Sequence, residues 1–193
     1  GVRLNYKDLN IQLSVFRNRV NNFIYPSITG DTLENHPVFN IKQDKSTFYG
    51  YEYSIQYQPV KWLVLMASGD FVKTENNATG TPIPFTPPVK NIFELKFQKH
   101  KFGKLLNAYF KIGAKVVSAQ NDVDIMEAKT KGYTLLNVGI GFDLPIAGSI
   151  ASLDISVDNL ADIKYVDHLS RYKGYAMNPG RSINAQLSLP FRF

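Results

Sequence analysis

The segment Arg181-Ser182-Ile183-Asn184-Ala185-Gln186-Leu187-Ser188-Leu189-Pro190-Phe191-Arg192-Phe193 alternates without a break. Ile183, Ala185, Leu187, Leu189, Phe191 and Phe193 fall on one set of positions, and Ser182, Asn184, Gln186, Ser188, Pro190 and Arg192 on the other. Successive side chains of a strand point to opposite sides, so this period of two predicts a strand over 181–193 with one apolar and one polar face.

The same pattern recurs upstream. Leu9, Ile11, Leu13 and Val15 alternate with Asn10, Gln12 and Ser14, and Tyr49, Tyr51, Tyr53, Ile55 and Tyr57 with Gly50, Glu52, Ser54 and Gln56. Phe93, Leu95 and Phe97, then Leu106 to Val116, Leu136 to Phe142 and Leu153 to Val157, repeat it. Nine strands are predicted, at 1–6, 9–24, 46–58, 62–74, 89–98, 105–119, 132–143, 150–158 and 181–193, and no helix of normal length. Short turns at 7–8, 59–61, 100–103 and 145–149 alternate with long polar or Pro-rich stretches at 25–45, 75–88, 120–131 and 159–180. Such sorting of loop length by end is a property of membrane barrels, with short turns on one side and long loops on the other.

Composition bounds the function. The 193 residues carry 11 Tyr, 13 Phe and one Trp, and no Cys, which removes disulfides and thiolate metal sites. The net charge of +6 is scattered through turns and loops with no run of five, the pattern of a solvated surface, and no nucleic-acid partner is expected. No stretch of 18 apolar residues exists, so no transmembrane helix is predicted. Gly1-Val2-Arg3-Leu4-Asn5-Tyr6 is not a signal peptide and reads as the middle of a strand, so the chain is expected to have been cut from something larger. Closed single-chain outer-membrane barrels have even strand numbers, and nine is odd, which points the same way. A soluble lipocalin-like barrel binding an apolar ligand would alternate too, with its apolar residues inside. The length of the apolar faces and the amide-rich opposite face favour the membrane. A small self-contained pore or structural barrel is the other alternative.

Toward the C-terminus, Leu153-Asp154-Ile155-Ser156-Val157-Asp158-Asn159-Leu160-Ala161-Asp162-Ile163-Lys164-Tyr165 resembles the penultimate strand of TonB-dependent outer-membrane receptors running into an Asn-Leu-x-Asp-x-x-Tyr segment. Pro179-Gly180-Arg181-Ser182-Ile183 resembles the opening of their last strand, with Ser182 where the family typically has Asn. Val20-Asn21-Asn22-Phe23-Ile24-Tyr25, Tyr49-Gly50-Tyr51-Glu52 and Phe85-Thr86-Pro87-Pro88 extend the likeness over most of the chain. The resemblance implies an all-β, antiparallel up-and-down transmembrane barrel of about 22 strands. Residues 1–193 would be its C-terminal portion, with the plug domain and N-terminal strands outside it. It further implies a bacterial outer-membrane location and uptake of a scarce small-molecule ligand, such as a ferric siderophore or other iron complex. Uptake would be energised by TonB through the absent N-terminal region, in contact with outer-membrane lipid.

Leu189, Phe191 and Phe193 resemble the C-terminal signal read by the barrel assembly machinery, although a lipid-facing strand needs apolar residues there anyway. Tyr165, His168, Arg171, Tyr172 and Tyr175 form an aromatic and basic cluster in the last long loop, a candidate ligand contact, with loop packing as the plainer reading. His168 has no partner set for a metal, and His36 and His100 are far from it in sequence. Asp122, Asp124 and Glu127 lack the Gly and spacing of a Ca²⁺ loop and are expected to be solvated. Tyr49, Tyr51, Tyr53 and Tyr57 suit an aromatic girdle. No catalytic constellation, cofactor motif or metal site emerges, and no enzyme is expected.

Overall fold

Alternation of this kind is satisfied by pairing neighbouring strands, and a computed structural model, describing residues 1–146 and 149–190, shows that arrangement. The strands are β1 (Val2–Tyr6), β2 (Leu9–Leu33), β3 (His36–Val60), β4 (Leu63–Asn76), β5 (Lys90–Phe102), β6 (Leu105–Val117), β7 (Tyr133–Ile146), β8 (Ser149–Asp158) and β9 (Ser182–Ser188). They form one antiparallel sheet in chain order, not closed on itself among the described residues. All nine predicted strands are present. The predicted turn at 100–103 narrows to Gly103-Lys104, because Phe102 pairs with Leu105. Ala147 and Gly148 of the 145–149 turn, and Phe191, Arg192 and Phe193 of the last predicted strand, lie outside the described residues.

The largest correction concerns 25–45, expected as a loop. It is strand: β2 and β3 run on as a hairpin of 25 residues per arm. Glu34 and Asn35 close it with φ of 50° and 63°, the left-handed pair that a two-residue hairpin turn requires. Asn21 and Asn22 oppose only Lys45, a two-against-one bulge that re-aims the hairpin above that level.

Register carries one face across the whole sheet. Tyr6, Leu9, Tyr57, Leu65, Leu95, Ile112, Val138, Val157 and Ile183 form a continuous row over the nine strands. Gln98, Tyr109, Gly141, Asp154 and Gln186 form a row on the opposite face. On the central strands β5, β6 and β7 the apolar face is the more exposed one, with Leu95, Phe93, Leu136 and Ile140 between 40% and 46% exposed. A soluble barrel would have those same positions inside.

The apolar row starts beside the short turn at 7–8 and ends beside the long loop at 159–181. Strands therefore lean across the register, as the roughly 35–45° tilt of a barrel demands. On β4 the apolar face runs from Leu63 beside the short turn to Phe71. Eight steps of ~3.3 Å tilted by ~40° give about 20 Å of height, near the ~25 Å apolar band of an outer-membrane barrel. Trp62, Phe97 and Phe110 stack in series at the short-turn edge, with centroids 6.1 and 6.3 Å apart. Tyr51 and Phe71, 5.5 Å apart, mark the other edge.

Two tyrosines lie across glycines to reach the next strand. Tyr53 passes over Gly69 and donates to Asn91 Oδ1 at 2.8 Å; Tyr109 passes over Gly141 and donates to Asp154 Oδ1 at 2.5 Å. A Cβ on Gly141 would sit 2.3 Å from the Tyr109 ring, so the glycine is what lets the ring lie flat. On the polar face, Lys90–Asp70 (2.9 Å) and Lys111–Glu94 (3.7 Å) pair across strands.

Candidate functional site

The long connections leave one end of the sheet and hold one another. After β8 the chain turns at Asn159 (φ 51°), whose side chain accepts from Ile163 N and donates to Ile163 O, both at 2.9 Å. Asp162 then accepts from Arg181 N at 2.9 Å, and Arg181 Nε donates to Leu160 O at 2.9 Å. The Asn-Leu-x-Asp segment and the Gly-Arg segment are thus two halves of one corner. They fix where the 159–181 connection leaves the sheet and where it returns.

Glu127 is the centre of the loop cluster. Its side chain is 1% exposed and accepts from Phe85 N with both oxygens at 3.1 Å. Lys173 Nζ donates to Glu127 Oε1 at 2.5 Å and to His168 O at 3.2 Å, while lying 4.9 Å over the Phe85 ring. His168 Nε2 is 3.2 Å from Glu127 Oε1 but off the line of a straight hydrogen bond, so this contact is electrostatic rather than directional. Its other nitrogen, Nδ1, is 3.0 Å from Thr130 Oγ1. Burial pushes the Glu127 carboxyl up, but the contacts with His168, Lys173 and Phe85 N outweigh it and hold the group below the usual carboxylate range. Phe85 is itself held at φ 60°, an unusual conformation for a bulky residue.

One carboxylate therefore ties together 77–89, 118–132 and 159–181. The hairpin joins through Phe39 against Phe85 (6.2 Å), Gly30 beside Met126, and His36 edge-on to Tyr175 (5.7 Å). Beside this knot, Tyr165 lies tilted against Tyr133 at 4.4 Å, and Tyr133 donates to Asp167 Oδ2 at 2.9 Å. Burial, with Asp167 and Asp158 nearby, raises the Tyr165 phenol. A cleft of about 330 Å³ opens over this pair, bordered by Lys129, Lys131, Lys164 and Met177.

The candidate residues of the last loop divide. His168 is buried and turned inward, and Tyr165 is half-buried at the cleft. Arg171 is exposed, as are Tyr172 and Tyr175, which meet edge-on at 5.6 Å. Leu189 is exposed, whereas Phe191 and Phe193 lie outside the described residues. His100 bonds Asn107 at the opposite end of the sheet. Asp122 and Glu127 part company: Asp122 reaches Lys73 at 3.7 Å in solvent, while Glu127 is buried, against the expectation of a solvated acidic loop. Lys173, Thr130 and Tyr133 were not singled out from the sequence, and Glu127 and Phe85 were noted only for other reasons, because the partners that join them lie 34 to 46 residues away. Among the described residues, no group of three His, Cys, Asp or Glu is placed to hold a metal ion.

A sheet of leaning strands, with a bare apolar belt, a paired polar face and interlocked loops at one end, is the wall of a transmembrane up-and-down β-barrel. Residues 1–160 match the family model described as TonB dependent receptor-like, beta-barrel, and the chain belongs to that family. No curated protein matches the sequence. Among solved structures, the fold is similar to the copper transporter OprC (TM-score 0.79, 19% identity, 96% of this chain and 30% of that one). It is also similar to BauA, the ferric preacinetobactin receptor of Acinetobacter baumannii (0.70, 17%, 97% and 28%). A third is the siderophore receptor PirA of the same species (0.67, 16%, 96% and 30%). The chain spans less than a third of the length of each of these structures.

Proposed function

We propose that this chain is the C-terminal barrel wall of a bacterial outer-membrane receptor that takes up an anionic iron complex, such as a ferric siderophore, with energy from TonB. The observation that carries the ligand class is the cleft over Tyr133 and Tyr165. Its aromatic floor and lysine border suit a planar, negatively charged chelator, through stacking and charge. The likeness in fold to BauA, a ferric preacinetobactin receptor, and to PirA, a siderophore receptor, supports the same reading. TonB would engage the parent protein upstream of this chain, and the assembly machinery would read Leu189, Phe191 and Phe193. Iron-limited cells carrying or lacking the parent gene should differ in uptake of radiolabelled iron chelates. K129Q/K131Q/K164Q should weaken uptake while leaving the protein in the outer membrane. Equal uptake by both strains for every chelate offered would overturn the iron reading.

A further inference from the structure

On β2 the apolar face ends in two cations. Leu9, Ile11, Leu13 and Val15 share their side of the strand with Arg17 and Arg19, and both arginines are exposed. Register places Tyr49 beside Arg17 and Lys73 beside Tyr49, one row beyond Val15, Tyr51 and Phe71. Lys45 follows Tyr49 and Thr47 on the same side of β3 by alternation. Adjacent strands are ~4.8 Å apart and paired residues on one face ~5 Å apart, so these cations occupy a patch about 10–15 Å wide. No ion pair among the described residues involves Arg17, Arg19 or Lys45. Lys73 meets Asp122 at 3.7 Å, but both side chains are about half exposed, and such a pair holds weakly. Glu75, beside Thr47, is the other acidic side chain on this face here.

We propose that Arg17, Arg19, Lys45 and Lys73 form a seat, on the outside of the barrel, for the phosphate of an anionic lipid whose acyl chains lie along the apolar face below. The placement rests on the membrane reading of that face. Phe71 marks the upper edge of the roughly 20 Å band, and the cations begin one row above it. A ligand entering the barrel would not meet them, because they point away from the polar face. A soluble anion would gain nothing from the apolar rows beneath, whereas a phospholipid or phosphorylated glycolipid uses both surfaces at once. Tyr49, 38% exposed between Arg17 and Lys73, gives the headgroup an amphipathic contact at the boundary.

The test uses the full-length receptor in detergent, titrated in native mass spectrometry with bis-phosphorylated lipid A. The wild type should hold it, and the R17Q/K73Q variant should bind it about 30-fold more weakly, at roughly fivefold per cation lost near a charged headgroup. R17K/K73R should retain binding, and K61Q/K104Q, the same charge change at the short-turn rim, should leave it unaltered. Equal binding of dephosphorylated lipid A, equal loss in K61Q/K104Q, or full displacement by millimolar inorganic phosphate would overturn the proposal. Fractionation separates the two levels of failure. A receptor absent from the outer membrane defeats the membrane reading itself, while one present there without phosphate discrimination defeats only the lipid seat.

Discussion

Replacing Glu127 with Ala removes the one group that three long connections share. Glu127 is 1% exposed and Lys173 8%, so the cost is that of breaking a buried pair, about 3–5 kcal/mol. The lower end applies, because Lys173 is near enough to solvent to swing outward and Phe85 is freed from its left-handed conformation. About 3 kcal/mol is on the order of a 100-fold rise in the population of open loops, at tenfold per 1.4 kcal/mol. Phe85 N, which both Glu127 oxygens accept, is the reporter. Hydrogen exchange on the full-length receptor should speed up on the order of 100-fold at Phe85 and carry into 159–181, with the sheet unchanged. Glu127→Gln keeps an acceptor for Phe85 and loses the ion pair, so it should fall between. If exchange at Phe85 is unaltered in Glu127→Ala, or loosening stays within 118–132, the three connections are not held by this carboxylate.

The same carboxylate sets a pH dependence. Its folded value lies below the model-peptide value of 4.5, so its contribution is complete above that value and disappears as pH falls through the lower folded one. Proteolysis of 118–132 should therefore accelerate on the acid side of about pH 4.5 in the wild type but stay flat in Glu127→Gln, and an equal acid response in both would contradict this. Gly141→Val drives a side chain into Tyr109 and Asp154 and should cost about 1–3 kcal/mol by overpacking, read from the urea midpoint of the reconstituted receptor. Leu95→Arg puts a charge in the middle of the apolar face and should cost about 2–4 kcal/mol in lipid vesicles, whereas Gln56→Arg on the polar face should cost little; equal effects would mean the faces are misassigned.

The strands that cross the apolar belt were legible because lipid on one side and a polar interior on the other force strict alternation. Leu153, Ile155 and Val157 announce β8 without help from anything distant. The projecting arms of the β2–β3 hairpin were not legible for the same physical reason. Beyond the belt both faces meet water or other loops, so Pro26, Gly30, Asp31 and Pro37 interrupt the pattern without preventing the pairing of Tyr25 with Lys42 or Pro26 with Ile41. In the loops, sequence reasoning gave packing as the plainer role of the aromatic and basic run around His168, but not the partners that pack it. What turns His168 inward is Glu127 and Thr130 from another connection, and nothing near either residue in sequence indicates the other.

The hairpin touches each later connection in turn, at Phe39, Gly30 and His36. It is therefore braced at three separate points along its length, so the loss of any one contact leaves two others holding it against its neighbours. The 25–45 arm is thus the longest connection and the one shared by the other three, and it departs from the sheet at the Asn21-Asn22 bulge.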